Sequence, residues 1–349
     1  MTDTPTTDTR YAVVYGELLM RLNPPGFQRF IQADTFEVRF SGAEANTGVS
    51  LVNFGVPTRV VSRVPDTDIG DACLRFLRRH GLDTTLVARG GERLGIYYLE
   101  TGASQRPSKV IYDRAYSSIR TPTETDYDWP AIFSGAAWFH FSGTSAALGP
   151  RAVEVLDAAL TAAASAGVTV SCDLNHRATL WGDRSPAAVM EPLMDRVDVL
   201  VGNEEDAERV FGVKASGSDV IAGHVDADAY GRAAEELVRR FGFRYAATTL
   251  RGSRSASSNT WAAILSDGTT AWASRVYEIE PIVDRVGAGD AFSGGLIYGL
   301  LNGLDEQAIV DFATAASCLK HAIPGDFNLV SVAEVNRLVG GDASGRVVR

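Results

Sequence analysis

Short runs of apolar residues alternate along the chain with longer segments whose apolar residues recur at helical spacing. The first run, Tyr11–Gly16, ends in glycine, and Ala45–Phe54 follows with helical periodicity. The further predicted strands are Thr58–Ser62, Val168–Asp173, Val197–Val201 and Arg244–Thr249, and the further predicted helices are Asp71–His80, Ala152–Ala166, Glu204–Phe211 and Ala227–Phe241. This order predicts an α/β fold in which a mostly parallel sheet is sandwiched by helices. Ligands of such folds bind beyond the carboxyl ends of the strands.

Two segments that are rich in Phe, Tyr, Val and Ile interrupt the alternation. We expect Phe27–Phe40 and Leu94–Ser118 to form hairpins of a small β-sheet lid that stands off the main sheet. A strand face of this lid would expose Tyr97, Tyr98, Ile111 and Tyr112. Such a face is too apolar to leave in water, so it should cover a ligand, another subunit or both. The alternative is two surface hairpins folded back on their own core.

These patterns predict three kinds of segment. The main α/β unit comprises residues 11–20, 41–93 and 119–340, the β lid residues 21–40 and 94–118, and the flexible tails residues 1–10 and 341–349. The first ten residues contain no apolar run, which argues against a signal peptide, and no later run is long enough to span a bilayer. We therefore expect a cytoplasmic protein without a membrane partner.

Composition excludes several classes of function. A net charge of -10 and the absence of a long basic block argue against a nucleic-acid partner. The cysteines at positions 73, 172 and 318 are far apart in sequence and predict neither a disulfide framework nor a structural zinc site. The five histidines show no metal-binding spacing. A small anionic substrate remains compatible with the composition if arginines cluster locally.

The segment Asp284–Gly295, with the sequence DRVGAGDAFSGG, combines a glycine-rich turn with a carboxylate at a predicted helix start. Backbone N–H groups at the N-terminus of a helix favour a bound anion. Asp290 follows those donors closely enough to take a proton from a hydroxyl group that attacks phosphorus. The alternative is an aspartate that only caps the helix.

Other phosphate-binding and nucleophile motifs are missing or incomplete. The chain has no GxxxxGK[ST] loop, no protein-kinase signature and no GxSxG elbow, and Phe292 stands where a dinucleotide fingerprint needs its third glycine. Ser317–Lys320 fits the SxxK pattern, but its companion motifs are absent. A phosphate-handling enzyme with this sequence must therefore bind phosphate through a different loop.

A second glycine-rich segment, Ser41–Asn46 (SGAEAN), lies about 240 residues before the DxxGAGD stretch. With both motifs in this order, the chain resembles the ribokinase-type (PfkB) sugar kinases, and among them the 2-keto-3-deoxygluconate kinases. The likeness extends from Tyr11 to Leu338. It implies a ribokinase-like fold and a kinase that uses ATP and Mg²⁺.

The resemblance also implies roles for individual residues. The catalytic base falls on Asp290, the anion hole on the amides around Gly287, Ala288 and Gly289, and sugar contacts on Gly42 and Asn46. The nucleotide contacts fall on Asn203, Thr249, Gly252, Gly289 and Asn328. The family's NxxE metal motif has Asp206 in its last place here, so this shorter side chain would reach Mg²⁺ through water. A monovalent cation, K⁺, is implied near Asp284.

Substrate recognition is implied by the lid and by one loop. Asp173–Trp181 resembles the DxNxRxxLW segment of keto-deoxy-sugar and fructose kinases and directs Arg177 toward the sugar. The lid strands resemble those that present two tyrosines and an arginine, here Tyr97, Tyr112 and Arg114. Two arginines favour an acid sugar over a neutral hexose, because the guanidinium fork matches a carboxylate. Surface ion pairs are the alternative for both arginines.

Together these observations predict an ATP-dependent kinase that phosphorylates the terminal hydroxyl of 2-keto-3-deoxygluconate. Fructokinase is the alternative within the class, and ribose is disfavoured because Gly16–Leu19 lacks the aspartate of ribose kinases. A catalytically silent sugar-binding regulator and a Rossmann-type oxidoreductase are the alternatives outside it. We also expect a homo-oligomer formed through the lid.

Overall fold

The computed structural model describes residues 10–123, 125–203, 205–215 and 227–342. Most of the two predicted tails and Glu204, the first residue of one predicted helix, lie outside the described residues. The division into a main unit, a lid and two tails stays a prediction.

Within the described ranges, ten strands form the main sheet. They are β1 Tyr11–Tyr15, β4 Thr58–Val64, β5 Val87–Arg89, β8 Ala136–Ser142, β9 Thr169–Asp173, β10 Val199–Asn203, β11 Tyr245–Ser253, β12 Asn259–Ser266, β13 Ala271–Ala273 and β14 Tyr277–Ile279. Seven of them pair in parallel in the order β11-β10-β9-β8-β1-β4-β5, and β12 extends the sheet antiparallel to β11. Because β1 has β8 on one side and β4 on the other, the order in which successive strands are added to the sheet reverses at β1. Such a switch point opens a crevice at the carboxyl ends of the strands.

Helices cover both faces of this sheet. They are α1 Ala43–Asn53, α2 Asp68–Arg79, α3 Trp129–Phe133, α4 Gly143–Ala146, α5 Pro150–Ala166, α6 Ala178–Trp181, α7 Pro186–Met194, α8 Asp206–Phe211, α9 Ala227–Phe241, α10 Ala288–Leu301, α11 Glu306–Lys320 and α12 Val332–Val339. One apolar core contains Leu156 of α5 and Leu237 of α9, and another contains Leu51 of α1, Phe292 of α10 and Ile309 of α11. The predicted α/β sandwich is confirmed. No helix within the described residues is both long and apolar enough to cross a membrane.

A separate four-stranded sheet lies beside the main one. Its strands are β2 Leu19–Asn23, β3 Glu37–Ser41, β6 Gly95–Glu100 and β7 Lys109–Asp113, in the order β3-β2-β6-β7. The hairpin predicted within Leu94–Ser118 is present as β6 and β7.

The hairpin predicted within Phe27–Phe40 is wrong. This segment supplies a short 3-10 helix, Phe30–Gln32, and strand β3, which pairs with β2 instead. The sequence obscures β2 because its inward side chains include Arg21, whose charge is buried by pairing with carboxylates. A strand with a buried arginine does not show the usual alternation of apolar and polar residues.

The four apolar lid residues do not share one face. Tyr97 pairs with Tyr112 and Tyr98 pairs with Ile111, and adjacent positions along a strand point to opposite sides. Tyr97 and Tyr112 face the main unit, whereas Tyr98 and Ile111 face outward. The lid therefore has an inner face that borders the crevice and an outer face that does not.

Candidate active site

A cavity of about 430 Å³ lies between the carboxyl ends of the parallel strands and the inner face of the lid. Most of the predicted site residues line it, namely Gly42, Asn46, Tyr97, Tyr112, Arg114, Arg177, Asn203, Asp206, Thr249, Gly287, Ala288, Gly289 and Asp290. Its lining does not include Gly252, Asp284 or Asn328. The fold thus brings residues from both glycine-rich motifs, all four lid strands and four strands of the main sheet to one crevice.

Asp290 lies in the first turn of α10. It is held by Asn46, the last residue of the Ser41–Asn46 segment, and by Thr47. The Asn46 side chain donates a hydrogen bond from Nδ2 to Asp290 Oδ2 at 2.7 Å. The Thr47 hydroxyl donates to the backbone carbonyl of Asp290 at 3.3 Å. The two motifs, far apart in sequence, therefore meet at this carboxylate.

The Asp290 carboxyl group is surrounded by protein and by other acids. Burial raises its pKa to about 7, the hydrogen bond from Asn46 opposes that rise, and Glu44 and Asp326 add to it. Arg177 favours the ionised form. A carboxylate with a pKa near neutrality is well matched to accept a proton from a substrate hydroxyl.

Two further carboxyl groups border the cavity on the Arg177 side. Burial and the charges of Asp206 and Asp290 raise the pKa of Asp173 well above its ordinary value. Burial also raises the pKa of Asp206, whose two oxygens accept hydrogen bonds from the backbone amides of Asn203 and His176. With Asp290 close by, simultaneous ionisation of all three carboxyl groups is disfavoured.

The two glycines at the start of α10, Gly287 and Gly289, are present for different structural reasons. Gly287 begins the helix with a φ of 86°, and a Cβ added to it would lie 1.9 Å from the carbonyl oxygen of Asp326. A Cβ on Gly289 would meet nothing within 4 Å. Gly287 therefore shapes the turn, while Gly289 leaves open space at the helix N-terminus, where free amides and the helix dipole favour an anion.

The lid side of the cavity is built around Arg114 and a carboxylate that the sequence interpretation missed. Arg114 donates from Nε to Glu17 Oε2 at 2.8 Å, and Nη2 contacts the same oxygen. Its guanidinium also lies over the ring of Tyr112, 5.2 Å from the centroid. Glu17 follows β1, and its partner is 97 residues away in sequence, so no local pattern could reveal the pair.

Tyr97 is less accessible than the lid resemblance implied. It is 5% exposed, and its hydroxyl donates to Asp326 and contacts Ser41. Tyr112, which is 41% exposed, presents its ring toward the cavity beside Tyr97. Of the two predicted tyrosines, Tyr112 has the freer hydroxyl.

Glu44 is a second acid that the sequence interpretation missed. Its Oε1 accepts hydrogen bonds from the hydroxyls of Ser142 at 2.6 Å and Ser145 at 2.8 Å. Burial raises the pKa of Glu44. Gly42 begins α1 just before it, where an added Cβ would lie 2.3 Å from the Glu17 carbonyl oxygen.

The predicted nucleotide residues divide into two groups. Asn203 and Thr249 line the cavity, and Asn203 Oδ1 accepts from the amide of Asp206. Gly252 instead lies in the β11-β12 pair, where a Cβ would be 2.2 Å from Thr260 Oγ1. Asn328 is buried, and its side-chain amide has no hydrogen-bond partner among the described residues. The nucleotide roles of these four residues and of Gly289 stay predictions.

Two arginines that the sequence interpretation did not single out also line the cavity near Thr249. Arg251 lies two residues after Thr249 on β11, and Arg285 lies two residues before Gly287. Burial and the neighbouring charge of Arg251 lower the pKa of Arg285. Two like charges at one wall of a cavity favour an anionic ligand between them.

Within the described ranges, no group of three or more His, Cys, Asp and Glu side chains is arranged to hold a metal ion. Asp206 lines the cavity, and its short side chain would contact Mg²⁺ through water. Asp284 is engaged differently. Its carboxylate accepts hydrogen bonds from Arg21 at 2.7 Å and from the amides of Val286 and Gly325, both at 3.0 Å.

Comparison with known proteins assigns the chain to a family. The family model for pfkB family carbohydrate kinases matches residues 9–326. A 2-dehydro-3-deoxygalactonokinase from Haloferax volcanii is 33% identical over 338 residues, which is 96% of this chain and 98% of the relative. The crystal structure of a 2-dehydro-3-deoxygluconokinase from Thermotoga maritima superimposes with a TM-score of 0.91 and 47% identity, covering 95% of this chain and all of that one. A fructokinase structure from Xylella fastidiosa with bound ATP shares the fold, with a TM-score of 0.74, 20% identity and coverage of 94% and 98%.

The chain belongs to the pfkB family of carbohydrate kinases. The predicted family, the ribokinase-like fold and the enzyme class are thereby confirmed. The resemblance to 2-keto-3-deoxygluconate kinases is supported by relatives named as kinases of 2-dehydro-3-deoxy sugar acids.

Proposed function

We propose that this kinase transfers the γ-phosphoryl group of ATP to the terminal hydroxyl of 2-keto-3-deoxygluconate. The observation that carries the proposal is the Asp290 carboxyl group, with a pKa raised to about 7, oriented by Asn46 at the N-terminus of α10. It combines a proton acceptor with an anion site within one helical turn.

In the proposed reaction, the sugar oxygen forms a bond to the γ-phosphorus and the bond from phosphorus to the bridging oxygen of ADP breaks. The hydroxyl proton passes to Asp290. The amides of Gly287, Ala288 and Gly289 donate to the transferring phosphoryl oxygens, where charge develops. Mg²⁺ would neutralise charge on the nucleotide phosphates when bound, with Asp206 contacting it through water.

ATP is proposed as the phosphoryl donor because the X. fastidiosa fructokinase, which shares the fold, was solved with bound ATP. The Asn203 and Thr249 side of the cavity would receive it. Arg251 and Arg285 line the same wall and offer positive charge to its phosphates.

The acid sugar is proposed from two observations. Relatives that cover nearly the whole chain are named for 2-dehydro-3-deoxy sugar acids. Arg114 and Arg177 both line the cavity and would face the sugar carboxylate. The galactonate epimer is a second candidate because of the H. volcanii relative. Fructose remains the alternative outside the acids.

Arg114 gives a direct test of the acid substrate. We expect Arg114→Met combined with Glu17→Gln to lower kcat/KM for 2-keto-3-deoxygluconate by about 10- to 100-fold, because a charged hydrogen bond to the carboxylate is lost. The double substitution removes both charges of the buried pair, so no unpaired carboxylate remains. Steady-state kinetics with fructose should show a change of less than about threefold.

The matched control is Arg93→Met, which removes an arginine that lies just before β6 and pairs with Asp113 on β7 but does not line the cavity. This control should change kcat/KM for neither 2-keto-3-deoxygluconate nor fructose. Equal losses on the acid sugar and on fructose in the double variant would contradict the carboxylate assignment.

We also propose that the outer face of the lid contacts a second copy of this chain. Its exposed apolar side chains include Ile31, 85% exposed, Val38, 55% exposed, and Ile111, 43% exposed. Both edge strands, β3 and β7, continue this face, so two lids related by a twofold axis would bury it mutually.

Sedimentation velocity tests the oligomer. We expect a dimer for the wild-type protein and a monomer for Val38→Lys, because a buried unpaired ammonium opposes association. Ile69→Lys, at a 47% exposed apolar position on α2, is the control and should leave the dimer intact. A wild-type monomer, or a Val38→Lys dimer of unchanged affinity, would contradict the proposal.

A further inference from the structure

Lys320 is the last residue of α11, and its side chain is completely buried. Its ammonium donates hydrogen bonds to the carbonyl oxygen of Asp284 at 3.2 Å and to that of Ile323 at 3.0 Å. Burying a lysine charge is costly unless its surroundings compensate for it. A position at a helix C-terminus, where carbonyl groups point outward, supplies part of that compensation.

The surroundings of Lys320 show charges of both signs. Burial lowers the pKa of the ammonium, the carboxylates of Asp284, Asp326 and Asp290 oppose that change, and Arg21 adds to it. The ammonium thus links the turn formed by residues 284–288 to the segment after α11.

Ser317, one turn earlier on α11, contacts the same turn. Its hydroxyl donates to the carbonyl oxygen of Ala288 at 2.7 Å. The two residues of the SxxK pattern therefore hold the carbonyl groups at both ends of residues 284–288. Since both side chains bond to backbone carbonyls, the pattern serves to position the turn, and it is not a nucleophile with its base.

The contacts of Asp284 do not fit a resident monovalent cation. Backbone carbonyl and carboxylate oxygens are the ligands that K⁺ takes in proteins. Here the Asp284 carbonyl is bonded to Lys320, and its carboxylate is bonded to Arg21, which also pairs with Asp326 at 2.6 Å. An added K⁺ would have to displace a tethered ammonium from these oxygens.

We infer that Lys320 is a built-in cation that fixes the carbonyls of Asp284 and Ile323 and so sets the direction of the Gly287–Gly289 amides. Lys320 is then a positioning residue, and phosphoryl transfer needs no added K⁺. The inference rests on the proposed function where turnover is measured, and a second readout, thermal unfolding, is independent of it.

The experiment compares wild type with Lys320→Ala, which leaves space for a free cation, and Lys320→Met, which fills that space with an uncharged chain. Each protein is studied with tetramethylammonium, Na⁺, K⁺ or NH₄⁺ as the sole monovalent cation at equal ionic strength. Turnover and melting temperature are measured for each combination. Tetramethylammonium is too large to enter and supplies the baseline.

We expect wild-type turnover to change less than about twofold among these cations and its melting temperature not to respond to K⁺ specifically. Lys320→Ala should lose about 100-fold in kcat with a smaller change in KM, because the transition-state amides are misdirected. K⁺ or NH₄⁺ should restore about tenfold of that loss and raise the melting temperature, whereas Lys320→Met should respond to neither ion.

Three results would overturn the inference. They are strong activation of the wild-type protein by K⁺, Lys320→Ala turnover close to wild type in tetramethylammonium, and a Lys320→Ala defect that no cation repairs in turnover or in melting. If no protein phosphorylates any sugar, the proposed function fails, and the melting temperatures alone still decide whether Lys320 replaces a cation.

Discussion

Replacement of Asp290 by Asn is expected to lower kcat by about 10²- to 10⁴-fold while changing the affinity for sugar and nucleotide little. Asparagine has nearly the same shape, and its carbonyl oxygen can still accept the hydrogen bond from Asn46. It cannot accept the proton of the sugar hydroxyl. Steady-state kinetics and isothermal titration calorimetry measure the two effects separately. Turnover above about a tenth of the wild-type value would remove the general-base role.

Asp195→Asn, at an exposed aspartate outside the cavity, is the control and should not change kcat. Asp290→Asn should also be at least as stable as the wild-type protein at pH 8. Because the folded-state pKa of Asp290 is raised to about 7, the folded protein binds this proton more tightly than the unfolded chain. Stability is therefore lost as the pH rises from the ordinary pKa of an aspartate to about 7 and stays at the lower level above it, and asparagine removes that loss. A lower melting temperature at pH 8 would indicate that Asp290 has a structural role instead.

The same pKa predicts the pH dependence of the wild-type reaction. Since the base must be ionised, kcat/KM in the free enzyme should rise about tenfold per pH unit below 7 and level off above it. The residual activity of Asp290→Asn should lose this dependence.

Gly287→Ala is expected to have the second largest effect. The added methyl group would lie 1.9 Å from the Asp326 carbonyl oxygen, and the φ of 86° is unfavourable for alanine. The turn must move, so we expect a loss of about 2–4 kcal/mol in unfolding free energy and at least about 100-fold in kcat/KM. Denaturant unfolding and steady-state kinetics measure these losses.

Two further glycine variants separate the effect of a positive φ from the effect of a methyl group in the proposed phosphate space. Gly303→Ala has a positive φ of 64° but no atom within 4 Å of the new methyl group, so it should lose only about 1 kcal/mol and keep its activity. Gly289→Ala also meets nothing within 4 Å, so it should fold normally but weaken nucleotide binding, because its methyl group enters the proposed phosphate space. Wild-type activity in Gly287→Ala would contradict the anion-hole assignment.

Sequence periodicity predicted the parallel α/β unit because its helices and strands bury apolar residues in regular patterns. The predicted helix Ala227–Phe241 has the same bounds in the structure. Strand β2 was missed because Arg21 points inward, and its charge is compensated by Asp284 and Asp326 from distant parts of the chain. Local sequence cannot report such compensation.

For the candidate site, too, local sequence does not reveal contacts between residues that are far apart in the chain. The glycine-rich turn marked Gly287 and Asp290 as candidates, since the need for a tight turn and a carboxylate leaves a local signature, and the family resemblance added Asn46. The partner of Arg114 is Glu17, and only the folded chain brings these two side chains together. The role of Lys320 was likewise hidden, because its hydrogen bonds go to backbone carbonyls, which any residue provides.

The most direct test of the proposed function is ATP-dependent phosphorylation measured across four sugars with the purified protein. ADP release is followed for 2-keto-3-deoxygluconate, 2-keto-3-deoxygalactonate, fructose and ribose, and mass spectrometry identifies the phosphorylated product. We expect kcat/KM for 2-keto-3-deoxygluconate to exceed that for fructose and ribose by at least about 100-fold, with phosphate on the terminal hydroxyl. A higher kcat/KM for fructose or ribose, or the absence of any phosphorylated acid sugar, would contradict the proposal.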